Sequence, residues 1–223
     1  DIRSVAIVGL AGGTAARQAA AFFPRVERIT GWEIDPDVLE VGYRYFGLGD
    51  IGPLHAVVAD GRVGLQQDAN HYDLIIVDAY RPPYIPAHLA TREFFALVRA
   101  RLTPRGVVAI NVGRTPQNRI LVDTLHATLA SVFPTVYGMD VPETYNTVLY
   151  ASPRAIAQPR QNLWRHAQRL ARERAHPGLV MAVYNAARYP SPPPGPGWVL
   201  TDDRAAIEVL TDRLVVDYIL HSP

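Results

Sequence analysis

Two residue types are missing from these 223 amino acids, lysine and cysteine, and each absence removes a block of chemistry. Without lysine there is no Walker A phosphate grip and no Schiff-base nucleophile, and all 22 basic residues are arginine. Without cysteine there is no disulfide framework, no thiolate zinc site and no cysteine nucleophile. Long hydrophobic runs are also lacking. None approaches the ~20 residues that span a bilayer, and no basic segment precedes an apolar one as in a leader, so the expectation is a soluble, cytoplasmic protein without a membrane partner. Nor is there an excess of one charge. The 22 basic residues against 21 acidic ones leave a formal charge of +1, and the arginines are scattered, so no nucleic-acid footprint is expected and the partner should be a small molecule. The chain opens at Asp1 and enters its first strand almost at once, as if an N-terminal piece had been cut away or left out.

What is present is the pattern of an α/β protein. With 48% hydrophobic residues the chain can bury one good core. Residues 4–9 read as a buried strand and Ala15 to Phe23 as a helix stopped by Pro24. A second strand over 26–33 is followed by a helix from Pro36 to about Phe46, a third strand over His55 to Ala59, and a short helix over Arg62 to Gln67. A fourth strand spans Tyr72 to Val77, a proline-rich loop Tyr80 to Pro86, a helix Thr91 to Leu102 and a fifth strand Val107 to Val112. This alternation specifies a doubly wound, mostly parallel sheet of the Rossmann-like kind. A helix from Pro116 to Val132 then leads to two strands near Thr135 to Met139 and Thr147 to Ala151, read as a C-terminal antiparallel hairpin. Residues 1–152 are taken as the ligand-binding domain and 153–223 as a helical appendage of it: an arginine-rich helix over Gln161 to Ala175, a loop over Pro190 to Pro196, and a last helix from Ala205 to about Leu214, with Asp202 and Asp203 read as its caps and, as the lesser alternative, as ligand contacts. The arginines between Arg160 and Arg174 read as a solvated face or as a contact in a homo-oligomer.

Chemistry concentrates where the strands end. Gly9, Gly12 and Gly13 form a turn that either lets a ligand approach the backbone or packs a helix on the sheet, and the run Gly9-Leu10-Ala11-Gly12-Gly13-Thr14 lacks the spacing of a dinucleotide fingerprint. Glu33 closes the second strand, where a carboxylate can accept both hydroxyls of a ribose, while Asp35 before Pro36 reads as a helix cap. Asp60 before Gly61 either accepts the exocyclic amine of an adenine, with the base against Ile34, or caps a helix. Asp78 ends a very apolar strand, where partial desolvation suits it to take a proton or hold a cation. His88 has no spaced partner, so no metal is expected. Tyr80 and Tyr84 read as a lid over the ligand.

Together these residues resemble the spermidine synthase family, the polyamine aminopropyltransferases, over roughly residues 4 to 150. In that resemblance Gly9 to Thr14, including Gly9, Ala11 and Gly13, is the glycine motif, Glu33 the ribose acid, Asp60 with Gly61 the adenine acid, and Asp78 the catalytic aspartate. The segment after Asp78 aligns without a gap through Leu89, Thr91, Glu93 and Phe94, and Tyr145 corresponds to an active-site tyrosine near the acceptor. The resemblance implies the fold of S-adenosylmethionine-dependent methyltransferases and a donor that is S-adenosylmethionine or its decarboxylated form. It also implies that Asp78 deprotonates an amine attacking the carbon next to sulfur, which releases methylthioadenosine. Two positions depart from the family: an acid that holds the donor's aminopropyl end is replaced by Ala11, and an acid that grips the diamine by Arg81. The family's N-terminal β-hairpin region is absent from the chain as given. A cation at a diamine pocket repels a bound ammonium but suits a carboxylate, such as that of intact S-adenosylmethionine. Three alternatives therefore stand beside aminopropyl transfer: intramolecular cleavage or cyclisation of S-adenosylmethionine without an acceptor, methyl transfer, and a non-catalytic nucleoside-binding module.

Overall fold

The computed structural model describes residues 1–80 and 85–221. Seven strands form one sheet in the order β3-β2-β1-β4-β5-β7-β6. The strands are β1 (Ser4–Val8), β2 (Arg28–Glu33), β3 (Leu54–Val58), β4 (Tyr72–Val77), β5 (Leu102–Gly113), β6 (Thr135–Asp140) and β7 (Asn146–Ser152). The first five run parallel, and β7 inserts antiparallel between β5 and β6. The helices are α1 (Thr14–Phe22), α2 (Pro36–Tyr45), α3 (Gly61–Gln67), α4 (Arg92–Arg101), α5 (Ile120–Ala130), α6 (Pro159–Arg172), α7 (Pro177–Arg188) and α8 (Ile207–His221). The fold is the Rossmann-like, doubly wound α/β sheet with a terminal antiparallel hairpin that the alternation of strands and helices predicts.

Period-two alternation divides the core into two layers. Along β1, Val5 and Ile7 face a cluster with Ala16, Ala19, Leu39 and Leu48, while Ala6 and Val8 face a larger one built on Leu65, Phe94, Phe95, Leu121 and Leu125. Because both faces are covered, Val5 to Val8 of β1 and Leu74 to Val77 of β4 are unbroken apolar runs. The tail joins the second layer: Leu200, Ile207 and Leu210 are buried with Phe94 and Leu121. A hairpin of α6 and α7 packs on β6, where the Tyr137 hydroxyl donates to the Ala186 carbonyl at 2.6 Å. No helix among the described residues is long and apolar enough to cross a membrane.

Several boundaries differ from the sequence reading, for local reasons. β5 begins at Leu102, not Val107, because Leu102 pairs with Tyr72 before an excursion through Thr103–Gly106; pairing resumes at Leu74 with Val107, and Thr103 Oγ1 meanwhile donates to Asp73 at 3.0 Å. α5 starts at Ile120, not Pro116, because Thr115 and Asn118 close a turn on each other and Asn118 Oδ1 accepts from the Ile120 amide. α7 lies between the two tail features read from sequence; it is capped by the His176 ring, which accepts from the Gly178 amide, and Pro177 fixes its first φ. α8 runs seven residues past Leu214 to His221.

Candidate active site

The parallel register brings the predicted residues to one edge. Val8 lies between Trp32 and Val77, so Gly9, Glu33 and Asp78 leave three neighbouring strands at the same level, and Val58 beside Glu33 carries the chain on to Asp60. The Asp78 amide donates to the Val8 carbonyl at 2.9 Å, and the Gly9 amide to Trp32 at 3.0 Å. Gly9 turns at a φ of 90°, where a Cβ would lie 2.6 Å from the Ala79 Cα, so only glycine lets these two strand ends pass each other. Gly13, also with positive φ, opens α1 without a side-chain cap. Ala11 takes a left-handed φ of 46°, which costs a residue with a Cβ about 1 kcal/mol. Its amide nonetheless finds a partner, donating to Glu33 Oε2 at 2.9 Å.

Glu33 therefore organises two loops, since its other oxygen accepts from the Asp35 amide at 3.2 Å. One bond to each oxygen leaves further lone pairs toward the cleft. Asp35 caps α2 by accepting from Asp37, as its position before Pro36 predicts. Ile34 is 68% exposed and, with the exposed Val58 and Val63 flanking Asp60 in sequence, offers apolar surface for a flat ring.

For Asp60 the structure shows the capping alternative on one oxygen and a histidine contact on the other. Oδ1 caps α3, accepting from the Arg62 and Val63 amides at 2.9 and 3.1 Å, and Oδ2 takes the His88 ring at 2.8 Å. Burial would raise this carboxyl, but the Val63 amide, the His88 ring and the Arg62 amide together hold it below the ordinary aspartate value. Three of its four acceptor directions are occupied and one remains. Gly61 opens α3 because a Cβ there would meet Val8 at 2.4 Å.

Asp78 differs in kind. Burial raises its carboxyl above the ordinary range although the side chain keeps an exposed edge, and among the described residues the opposing bond comes from the Asn111 side-chain amide at 3.3 Å. It is the group in this row suited to accept a proton. Asn111 escaped the sequence reading, although it is the polar residue in the apolar run Val107 to Val112 and faces Val148 beside Ile110. Tyr80 is anchored: its hydroxyl donates to the Asn111 carbonyl at 2.7 Å and accepts from the Gly113 amide at 3.1 Å, and burial raises its phenol. The Tyr80 hydroxyl is thus bonded twice to β5 in this structure. Arg81 and Tyr84 lie outside the described residues. Tyr145 precedes β7 on the same edge, at the level of Arg114, and its ring meets Tyr218 of α8 edge-on at 5.6 Å. Asp202 does not cap α8, which begins five residues later; its carboxylate grips Arg62 through both oxygens at 2.8 and 2.7 Å.

With this geometry in view, comparison with known proteins is decisive for the family: residues 1–152 match the spermine/spermidine synthase domain. The chain belongs to the spermine/spermidine synthase family. A probable polyamine aminopropyl transferase of Bifidobacterium longum is 30% identical over 233 aligned positions, covering 97% of this chain and 52% of its own length. A spermidine synthase solved with the transition-state analogue AdoDATO superimposes with a TM-score of 0.61 at 22% identity, over 70% of this chain and 56% of that one. Human methyltransferase-like protein 13, solved with SAH, gives a TM-score of 0.63 at 24% identity, covering 85% of this chain and 84% of the other. The two structural likenesses establish the shared methyltransferase-like fold. The chain spans about half the length of the aminopropyl transferase from Bifidobacterium longum.

Proposed function

We propose that this member of the family is a transferase that binds S-adenosylmethionine or its decarboxylated form along the edge formed by Gly9–Gly13, Glu33, Asp60 and Asp78. Glu33 takes the ribose hydroxyls, the remaining acceptor direction of Asp60 takes the exocyclic amine of adenine, and Ile34 lies against the base. Asp78 accepts the proton of an amine as its nitrogen attacks the carbon next to sulfur. The new bond is carbon–nitrogen, the carbon–sulfur bond breaks, and its electron pair neutralises the sulfonium, leaving methylthioadenosine. Tyr80 and Tyr145 flank the acceptor side.

The observation that carries this reading is the contrast between the acids. Asp60 is held toward its ionised form by its partners, whereas Asp78, three strands away on the same edge, has a raised proton affinity and, among the described residues, a weak side-chain partner in Asn111. Such a separation marks one group for binding and the other for proton transfer. Two of the relatives, a probable polyamine aminopropyl transferase and a spermidine synthase solved with AdoDATO, support the same chemistry.

A second reading, release of methylthioadenosine from intact S-adenosylmethionine without an acceptor, draws on the acceptor end. There, among the described residues, Arg119 at 2.9 Å and Arg114 at 3.6 Å converge on Asp140, a pairing of cations that suits a carboxylate better than a diamine. One experiment tests both: purified protein is given each donor with and without putrescine or spermidine, and the nucleoside released is identified. Methylthioadenosine that depends on the amine is the expected result. Its release from S-adenosylmethionine alone selects the second reading, S-adenosylhomocysteine reveals methyl transfer, and no nucleoside product with either donor refutes a transferase.

A further inference from the structure

Asp202 stands in the tail, outside the residues that match the family domain, yet it reaches the adenine end of the proposed site. Its Oδ1 accepts from Arg62 Nη1 at 2.8 Å and from Thr91 Oγ1 at 2.7 Å, and its Oδ2 from Arg62 Nη2 at 2.7 Å. The Asp202 amide donates to Glu93 Oε2 at 3.0 Å. Four bonds thus tie Asp202 to α3 and to the start of α4, and the Arg92 amide adds a fifth to the turn by donating to the Leu200 carbonyl at 2.8 Å.

Arg62 passes this restraint on. The same Nη1 donates to the His88 carbonyl at 3.0 Å, and the Arg62 amide donates to Asp60 Oδ1 at 2.9 Å. The ring closes through His88 Nε2, 2.8 Å from Asp60 Oδ2. Asp60 is therefore gripped on one oxygen by the backbone of Arg62 and on the other by the ring of His88, and the Arg62 guanidinium fixes one grip relative to the other. The Arg62 and Asp202 side chains are 24% and 42% exposed, so the pair lies at the rim of the core, where planar two-point geometry sets direction.

From this circuit we infer that Asp202 is a positioning residue for nucleoside binding: through Arg62 and His88 it fixes the carboxylate plane of Asp60, and with it the one acceptor direction left for a base amine. The inference rests on the reading of this edge as a nucleoside site. It assigns the acidic turn after Leu200 to the binding machinery, although that turn lies 140 residues from Arg62 in sequence.

The test measures methylthioadenosine affinity by calorimetry and donor turnover for wild type, Asp202→Asn, Arg62→Lys and the double variant. Arg62→Lys keeps the charge but loses the two-point fork, which guards against a loss that reflects charge alone. Imidazole resonances of ligand-free protein, with His88 assigned through His88→Gln, report on the Asp60–His88 pair without any ligand. A partly exposed two-point pair should weaken nucleoside binding about fivefold in each single variant. The loss should fall on KM more than on kcat, the double variant should be no worse than the poorer single one, and the His88 resonance should be shifted by Asp202→Asn. Single variants that bind like wild type, or additive losses, overturn the inference. If wild type binds no methylthioadenosine, the nucleoside reading itself falls, and the His88 resonance decides alone whether Asp202 acts on the Asp60 pair: unmoved, it overturns that coupling too.

Discussion

Replacing Asp78 with asparagine should separate chemistry from binding. Asparagine has the same shape and can still accept from the Asn111 amide, now 3.3 Å from Oδ1, so the strand end should keep its geometry. What disappears is the proton acceptor. General-base catalysis contributes roughly 10²–10⁴ in rate, or about 3–5 kcal/mol of barrier, and Asp78→Asn should lose that amount while methylthioadenosine affinity changes by less than about threefold. The raised proton affinity of Asp78 adds a second signature. Below its folded pKa the group is protonated and cannot act as base, so wild-type turnover should fall on the acid side at a pH above that of an ordinary aspartate. Stability moves the other way. A carboxyl with raised folded pKa stabilises the protein most when protonated and loses that contribution as pH rises through the folded pKa, so at neutral pH ionised Asp78 is a burden. Asp78→Asn should therefore melt no lower than wild type at pH 7. Stopped assays of nucleoside release across pH, together with thermal melts, measure all three effects. A variant that retains turnover within tenfold of wild type would refute the assignment of Asp78 as base.

Gly9→Ala forces a Cβ to within 2.6 Å of the Ala79 Cα at a φ of 90°. Backbone strain and overpacking together should destabilise the fold by about 2–5 kcal/mol, read from urea unfolding midpoints; a loss below 1 kcal/mol would mean the two strand ends are not in contact. Glu33→Gln leaves one carbonyl oxygen to accept from either the Ala11 or the Asp35 amide and sets an NH2 donor against the other, so nucleoside affinity should drop at least about five- to tenfold in calorimetry. Asp202 is held down to about 2 chiefly by Arg62, so its contribution is present above an ordinary aspartate pKa and vanishes as pH falls toward 2. For so exposed a pair it amounts to about 1 kcal/mol at most, and urea midpoints of Asp202→Asn and wild type should differ at pH 7 and converge near pH 2.

The sequence made the first half of the chain legible because each strand ends in a residue with one physical purpose. Val5 to Gly9, Trp32 to Asp35, Val58 to Gly61 and Leu74 to Asp78 each pass from apolar alternation to a glycine or an acid, and the parallel register then lines those residues up. Asn111 could have been found by the same rule, as a polar residue near the end of a buried strand. The ring of Asp60, His88, Arg62 and Asp202 could not, because His88 and Asp202 lie far in sequence from Asp60 and Arg62, and Asp202 meets them only when the turn before α8 bonds to the start of α4. Local capping logic assigned Asp202 to the helix that follows it, and a long-range ion pair won. α7 was hidden for a related reason: histidine is a weak helix-start signal, and Gly178 near its beginning masks the period.

Glu33 carries a consequence for the speed of ligand capture. The carboxylate that would receive a ribose already ties down the Ala11 and Asp35 amides, so the glycine turn is ordered during folding and not at the moment of encounter. A nucleoside then meets a finished floor along this stretch, and the rate at which it docks should climb in proportion to its concentration instead of levelling off at the pace of a loop rearrangement.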